Sequence, residues 1–95
     1  MINDISISEL IKLKDINIID IRSIEKYNSN HINGAINIPL EKIIISPSKY
    51  LNKNNVYYIY CQKGIQSKKL CFILQNSGYN VINIQGGYEA WILNK

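Results

Sequence analysis

Short runs of β-branched and aromatic residues alternate with runs of helical spacing along this whole chain. Residues 16–21, 35–38, 56–60 and 79–84 read as strands, and Val56-Tyr57-Tyr58-Ile59-Tyr60 is the strongest of them. Ser23 is placed to cap a small helix over 25–27, and Ser8 one over 9–14, with Ile5-Ser6-Ile7 as an edge strand upstream. Residues 67–76 have helical spacing and are closed by Gly78, and 89–93 form a terminal helix after the Gly86-Gly87 turn. Asn33-Gly34 marks another turn, and Pro47 breaks 40–51 into irregular chain with short helical turns. Strands alternating with helices at this spacing imply an α/β fold, a parallel sheet covered by helices on both faces. With 95 residues and no repeat, low-complexity tract or linker, one compact domain over 1–95 is expected.

Sheets of this kind place their sites beyond the carboxyl ends of the strands. Three such ends, Asp20-Ile21-Arg22, Cys61 with its loop, and Gln85-Gly86-Gly87, should converge on one edge. Cys61 lies in Tyr60-Cys61-Gln62-Lys63-Gly64-Ile65-Gln66-Ser67, between the strongest strand and a helix N-terminus. Backbone N–H groups at such a terminus attract anions and favour the thiolate form of a nearby thiol. A thiolate held where an anion also binds suits chemistry on charged sulfur or phosphorus.

Charge and composition exclude other classes. The net charge of +4 comes almost wholly from lysine, ten Lys against the single Arg22. Those lysines are scattered over solvated faces rather than gathered in a stripe that would bind nucleic acid. No apolar run approaches the ~18 residues of a membrane span, and Met1-Ile2-Asn3-Asp4 lacks the basic and then apolar pattern of a secretion leader. Two cysteines, one inside a helix pattern, make a poor disulfide framework, so a reducing cytoplasm is the expected compartment.

Asp20-Ile21-Arg22 with Glu25, the run His31-Ile32-Asn33-Gly34-Ala35-Ile36-Asn37-Ile38-Pro39, Tyr60-Cys61-Gln62-Lys63-Gly64, Ser67, Leu74, Gly78-Tyr79 and Gly86-Gly87-Tyr88-Glu89-Ala90-Trp91 follow one another in a characteristic order. Together they resemble rhodanese-like domains, over nearly the whole chain. The resemblance implies a five-stranded parallel α/β fold and, in catalytic members of the family, sulfur transfer. It implies that the Cys61 thiolate attacks the outer sulfur of a small anionic donor such as thiosulfate, expels sulfite and becomes a persulfide. A thiophilic acceptor, whether cyanide, a small thiol or a protein cysteine, would then take that sulfur. Gln62, Lys63, Gly64, Ile65, Gln66 and Ser67 would form the substrate-binding loop, with amides stabilising the sulfur anion. Asp20 and Arg22 would support the edge of the site as a buried ion pair. No metal or organic cofactor is needed.

One position departs from the family. Its loop usually carries an arginine directly before the serine, and here that residue is Gln66. Gln donates hydrogen bonds but supplies neither charge nor a bidentate fork for an oxyanion. Losing a charge-assisted contact costs ~1.5–3 kcal/mol, roughly one or two decades in thiosulfate affinity. Lys63 restores part of the charge from another direction. Persulfide chemistry is therefore expected to persist, with thiosulfate a mediocre donor.

The remaining marked residues have plainer expectations. Cys71, beside Leu70 and Leu74, reads as core packing, with a resolving thiol as the alternative. His31 is the only histidine and reads as a structural hydrogen-bonding group, which excludes a multi-histidine metal site. Lys68 and Lys69 fall in the first helical turn, Phe72 on an exposed face where a partner could sit, and Trp91 as an anchor for the last helix. A non-catalytic interaction or redox-sensing module is the alternative function. A cysteine phosphatase is disfavoured, because its loop is longer and ends in an arginine, and no arginine follows position 22.

Overall fold

A computed structural model describes residues 3–94, and Met1 and Ile2 (the start of the segment read for a leader) and Lys95 lie outside the described residues. Strands β1 (Asp4–Ile5), β2 (Asn17–Asp20), β3 (Ala35–Asn37), β4 (Val56–Tyr60) and β5 (Asn80–Ile84) form one five-stranded sheet in the order β1-β5-β4-β2-β3. All neighbouring pairs are parallel, with Asp20 opposite Tyr60, Ile59 opposite Asn83, and Asn83 opposite Asp4. Parallel neighbours need crossovers. These are α1 (Ile7–Leu10), α2 (Ile24–Ser29), α3 (Leu40–Ile45), α4 (Pro47–Tyr50) and α5 (Ile65–Asn76), with α6 (Gly87–Leu93) after the last strand.

Strand periodicity sorts the core into two layers. Tyr57, Ile59 and Cys61 pack on one face with Ile19, Val81 and the α5 residues Leu70, Cys71 and Leu74. Tyr60 turns to the other face, with Ile18, Ile84, Ile7, Leu10 and Trp91. Helices therefore cover both faces, as the alternating sequence implies, and Trp91 anchors α6. Each fully buried Ile or Leu here contributes ~1.5–3 kcal/mol of transfer free energy.

In α5, Ser67, Leu70, Cys71 and Leu74 recur at helical spacing and are buried. Phe72 and Ile73 lie on the outer side, 49% and 46% exposed. Gly78, at φ 92°, closes the helix: its N–H donates to the Gln75 carbonyl and the Tyr79 N–H to that of Leu74, both at 3.0 Å.

Several boundaries differ from the sequence expectation. Helix α5 starts at Ile65 rather than Ser67, because Gly64 enters it in the left-handed conformation and no side chain of Gly64 caps it. Lys68 and Lys69 consequently sit further into the helix. Helix α1 covers Ile7–Leu10, not 9–14, since Ser6 and not Ser8 makes the capping box. The Ser6 hydroxyl accepts the Glu9 N–H at 3.2 Å, and Glu9 accepts the Ser6 N–H at 3.2 Å. That box also ends β1 at Ile5 instead of Ile7. Ser23 does cap α2, though the helix is longer than expected. Among the described residues, no helix is long and apolar enough to cross a membrane.

Candidate active site

The three strand ends meet. Beyond β5 the chain turns at Gly86 and Gly87, both at positive φ, and lies against the loop after β4. There the Tyr88 N–H donates to the Cys61 carbonyl at 2.9 Å and the Glu89 N–H to that of Gln62 at 3.1 Å. A Cβ on Gly87 would collide with the Cys61 carbonyl oxygen, and one on Gly64 would lie 2.8 Å from the Gly86 nitrogen. Only glycines allow these two turns to touch.

Cys61 sits at the tip of β4, 4% exposed, with its sulfur turned back under the start of α5. The Gly64 N–H donates to Sγ at 3.1 Å and the Ser67 N–H at 3.3 Å. Ser67 is the third residue of α5, so the sulfur takes the place that a side-chain oxygen usually holds at a helix start. Behind it, the Cys61 thiol donates to Ser67 Oγ at 3.3 Å. Ser67 Oγ donates in turn to Asn83 Oδ1 at 2.6 Å, and Asn83 Nδ2 to Asp4 Oδ1 at 3.1 Å.

Asp20 and Arg22 form the buried pair expected of them, 0% and 7% exposed. Nη2 of Arg22 lies 2.8 Å from Oδ2 of Asp20, and Nε donates to both carboxylate oxygens. Asp20 also accepts from the Tyr60 hydroxyl at 2.6 Å. The remaining Arg22 donors reach the Asn30 carbonyl at 2.6 Å and Gln62 Oε1 at 3.2 Å, and the guanidinium lies over the Tyr88 ring at 4.1 Å. Arg22 thus ties β2, α2, the cysteine loop and α6 together. Burial works against its charge, but the hydrogen bonds and charge of Asp20 prevail and raise its pKa. Burial, reinforced by the bond to Asp20, raises that of Tyr60.

The sequence-predicted loop residues divide into two groups. Gly64 and Ser67 are buried and touch the sulfur, whereas Lys63, Ile65 and Gln66 are exposed. With Gln62 and Lys26, these exposed residues line an open hollow of about 390 Å³ above Cys61. A slightly larger hollow, about 450 Å³, lies elsewhere, between Leu10, Ile16, Ile32 and Trp91, and no thiol or imidazole lines it. Cys71 is fully buried, and burial, then the nearby Asp4 and Cys61, pushes its thiol up to about 12. That fits core packing rather than a resolving thiol. His31 is half-buried, with Nδ1 2.8 Å from the Tyr27 carbonyl and its ring stacked on Tyr27 at 3.9 Å. Among the described residues no three His, Cys, Asp or Glu side chains gather into a metal site.

Sequence reasoning missed Asn83, Asp4 and Lys26, and named Tyr88 only within the Gly86–Trp91 run, without its place over Arg22. Asn83 had a signal, since Asn is disfavoured in strands and this one interrupts an apolar run at a core-facing position. Lys26 had none among so many scattered lysines.

A parallel α/β sheet whose central strand ends in a thiol under a helix start defines a domain built around one cysteine-bearing loop. The chain belongs to the rhodanese-like domain family, whose model matches residues 6–94. It is 32% identical over 84 residues to the thiosulfate sulfurtransferase GlpE of Coxiella burnetii, covering 87% of this chain and 78% of that one. It is 34% identical over 79 residues to the Bacillus subtilis protein YrkF, covering 82% of this chain but only 42% of that protein. The crystal structure of a rhodanese-like domain protein from Staphylococcus aureus superposes with a TM-score of 0.85 at 32% identity, covering 95% of this chain and 91% of that one.

Proposed function

We propose that this chain is a sulfurtransferase in which Cys61 carries sulfane sulfur as a persulfide. The observation that carries the proposal is the pair of amides, Gly64 and Ser67, donating to Sγ at 3.1 and 3.3 Å. Amides fixed before the reaction stabilise the thiolate, and then the persulfide anion, without reorganisation. The Cys61 thiolate attacks the outer sulfur of a thiosulfate-like donor. The S–S bond of the donor breaks, its electron pair leaves with sulfite, and the persulfide remains on Cys61. A thiophile (a small thiol, a protein cysteine or cyanide) attacks the outer persulfide sulfur and regenerates the thiolate.

Gln62, Lys63, Gly64, Ile65, Gln66 and Ser67 form the donor-binding loop, and Lys26 adds a cation at the mouth of the hollow. Asp20 and Arg22 act as support, through the contact of Arg22 with Gln62. One domain over 1–95 performs the cycle. Both cysteines are free thiols, which suits a cytoplasmic, reducing setting. Cyanide-dependent formation of thiocyanate from thiosulfate tests the proposal: ping-pong kinetics that vanish in Cys61→Ser are expected. Turnover that survives Cys61→Ser would refute it. The exposed Gln66, which brings no charge to the loop, supports a second reading, a non-catalytic rhodanese-like interaction or redox-sensing module. The absence of a Cys61 persulfide with every donor would favour that reading.

A further inference from the structure

Cys61 has a third polar neighbour besides the two amides, and that neighbour is committed elsewhere. Ser67 Oγ carries a single hydrogen, donated to Asn83 Oδ1 at 2.6 Å. The amide orientation of Asn83 is fixed from its other side, because Nδ2 donates to the Asp4 carboxylate at 3.1 Å and a carboxylate only accepts. Oδ1 must therefore face Ser67, and the hydroxyl hydrogen must point away from the sulfur. What Ser67 Oγ turns to Cys61, at 3.3 Å, is a lone pair. A lone pair accepts from S–H and repels S⁻, opposing the two amides. Ser67 and Asn83 are 0% and 2% exposed, so no bulk water competes for the bond between them.

We propose that Asn83 is a positioning residue which, held by Asp4, aims the Ser67 hydroxyl away from Cys61, so that Ser67 Oγ accepts from the thiol and gives no hydrogen bond to the thiolate. The inference rests on the sulfurtransferase reading for its use but not for its test. When the lock is released, the hydroxyl rotates, donates to the sulfur and joins the amides in holding the anion. The other charged or titratable groups around Cys61 are Lys63 in the loop, Lys26 of α2, Arg22 and Glu89 meeting at Gln62, Tyr88 of α6 and Cys71 of α5, while Lys68 of α5 faces the far end of the chain of bonds, its Nζ 3.9 Å from Asp4 Oδ2. Asp4→Ala and Asp4→Asn both remove the carboxylate that pairs with Lys68, so the comparison between them holds that change constant.

Alkylation by iodoacetamide, followed from pH to pH with Cys61 labelling assigned by peptide mass, reads the proton directly. In the full chain, Asp4→Ala and Asn83→Ala should each move the alkylation profile about one pH unit towards acid, a roughly tenfold faster labelling on its acidic limb. Asp4→Asn keeps an acceptor for Asn83 Nδ2 and should follow the wild type. In a Ser67→Ala background, Asp4→Ala should bring no further shift. Equal shifts in Asp4→Ala and Asp4→Asn, or a shift that survives without Ser67, would assign the effect to the Asp4 charge and overturn the proposal. An unmoved Asp4→Ala profile would overturn it as well. Asp4 lies on an edge strand and is exposed, so its variants decide the matter even if Asn83→Ala fails to fold. Iodoacetamide labels Cys61 whether or not sulfur is transferred, so failure of this lock and failure of the sulfurtransferase reading give different results.

Discussion

The backbone N–H of Ser67 points at the sulfur of Cys61 across 3.3 Å, so the first side chain beyond the central strand caps the helix that follows it. A cysteine in this place has a structural duty beside its proposed chemical one. Cys61→Ala removes the acceptor from the Gly64 and Ser67 amides and should lower stability by ~1 kcal/mol or more. Cys61→Ser leaves a smaller acceptor and should recover part of that loss. Urea midpoints of the two variants check the ordering.

Gln66 occupies the first turn of α5 beside the hollow over Cys61, where family members usually bring an arginine. Gln66→Arg should raise kcat/KM for thiosulfate by roughly 10- to 100-fold, the worth of one charge-assisted contact. Sulfite release measures it. Little change would mean that Lys26 and Lys63 already supply the charge the donor needs.

Gly87 is the tightest point of the site frame. Its φ of +60° is unfavourable for other residues, and a methyl there meets the Cys61 carbonyl oxygen. Gly87→Ala should cost ~2–4 kcal/mol, combining backbone strain with displacement of the cysteine loop. Denaturant unfolding gives the value, and slowed labelling of Cys61 should accompany it.

Much of this was present in the sequence, and the exceptions have physical causes. The run Val56–Tyr60 is β-branched and aromatic throughout, and β4 spans those residues. Exposure of Phe72 and burial of Trp91 followed from helical spacing and position in the chain. The start of α5 did not, because serine is the usual helix cap and a cysteine sulfur reached from the preceding strand leaves no mark in the local pattern. Ser67 was expected to lend its amide to an anion, and that amide does meet the sulfur. Its hydroxyl was not understood, since Asn83 comes from another strand and Asp4 is 79 positions from Asn83. Contacts of that range follow from strand order, which the sequence does not spell out.

Stability should fall in alkali. Burial raises the Cys71 thiol from the usual 9.0 to about 12, so the folded state keeps its proton where the unfolded chain loses it. The stability is therefore complete below about pH 9 and declines as pH rises towards 12, with a slope approaching ~1.4 kcal/mol per pH unit from this one group. The raised Tyr60 hydroxyl adds to the decline above its own unfolded value of 10.0. Cys71→Ala should lower stability below about pH 9 and flatten the slope above it, and urea titrations from pH 8 to 11 (about the accessible range) separate slope from offset.

Loading of sulfur onto Cys61 is the decisive measurement. Wild-type protein incubated with thiosulfate or a polysulfide, freed of reagent and weighed intact, should gain one sulfur atom that a reducing thiol removes, and Cys61→Ser should gain none. A wild type that takes up no sulfur from either donor, or a Cys61→Ser variant that takes up as much, would contradict the assignment of this loop to sulfur transfer.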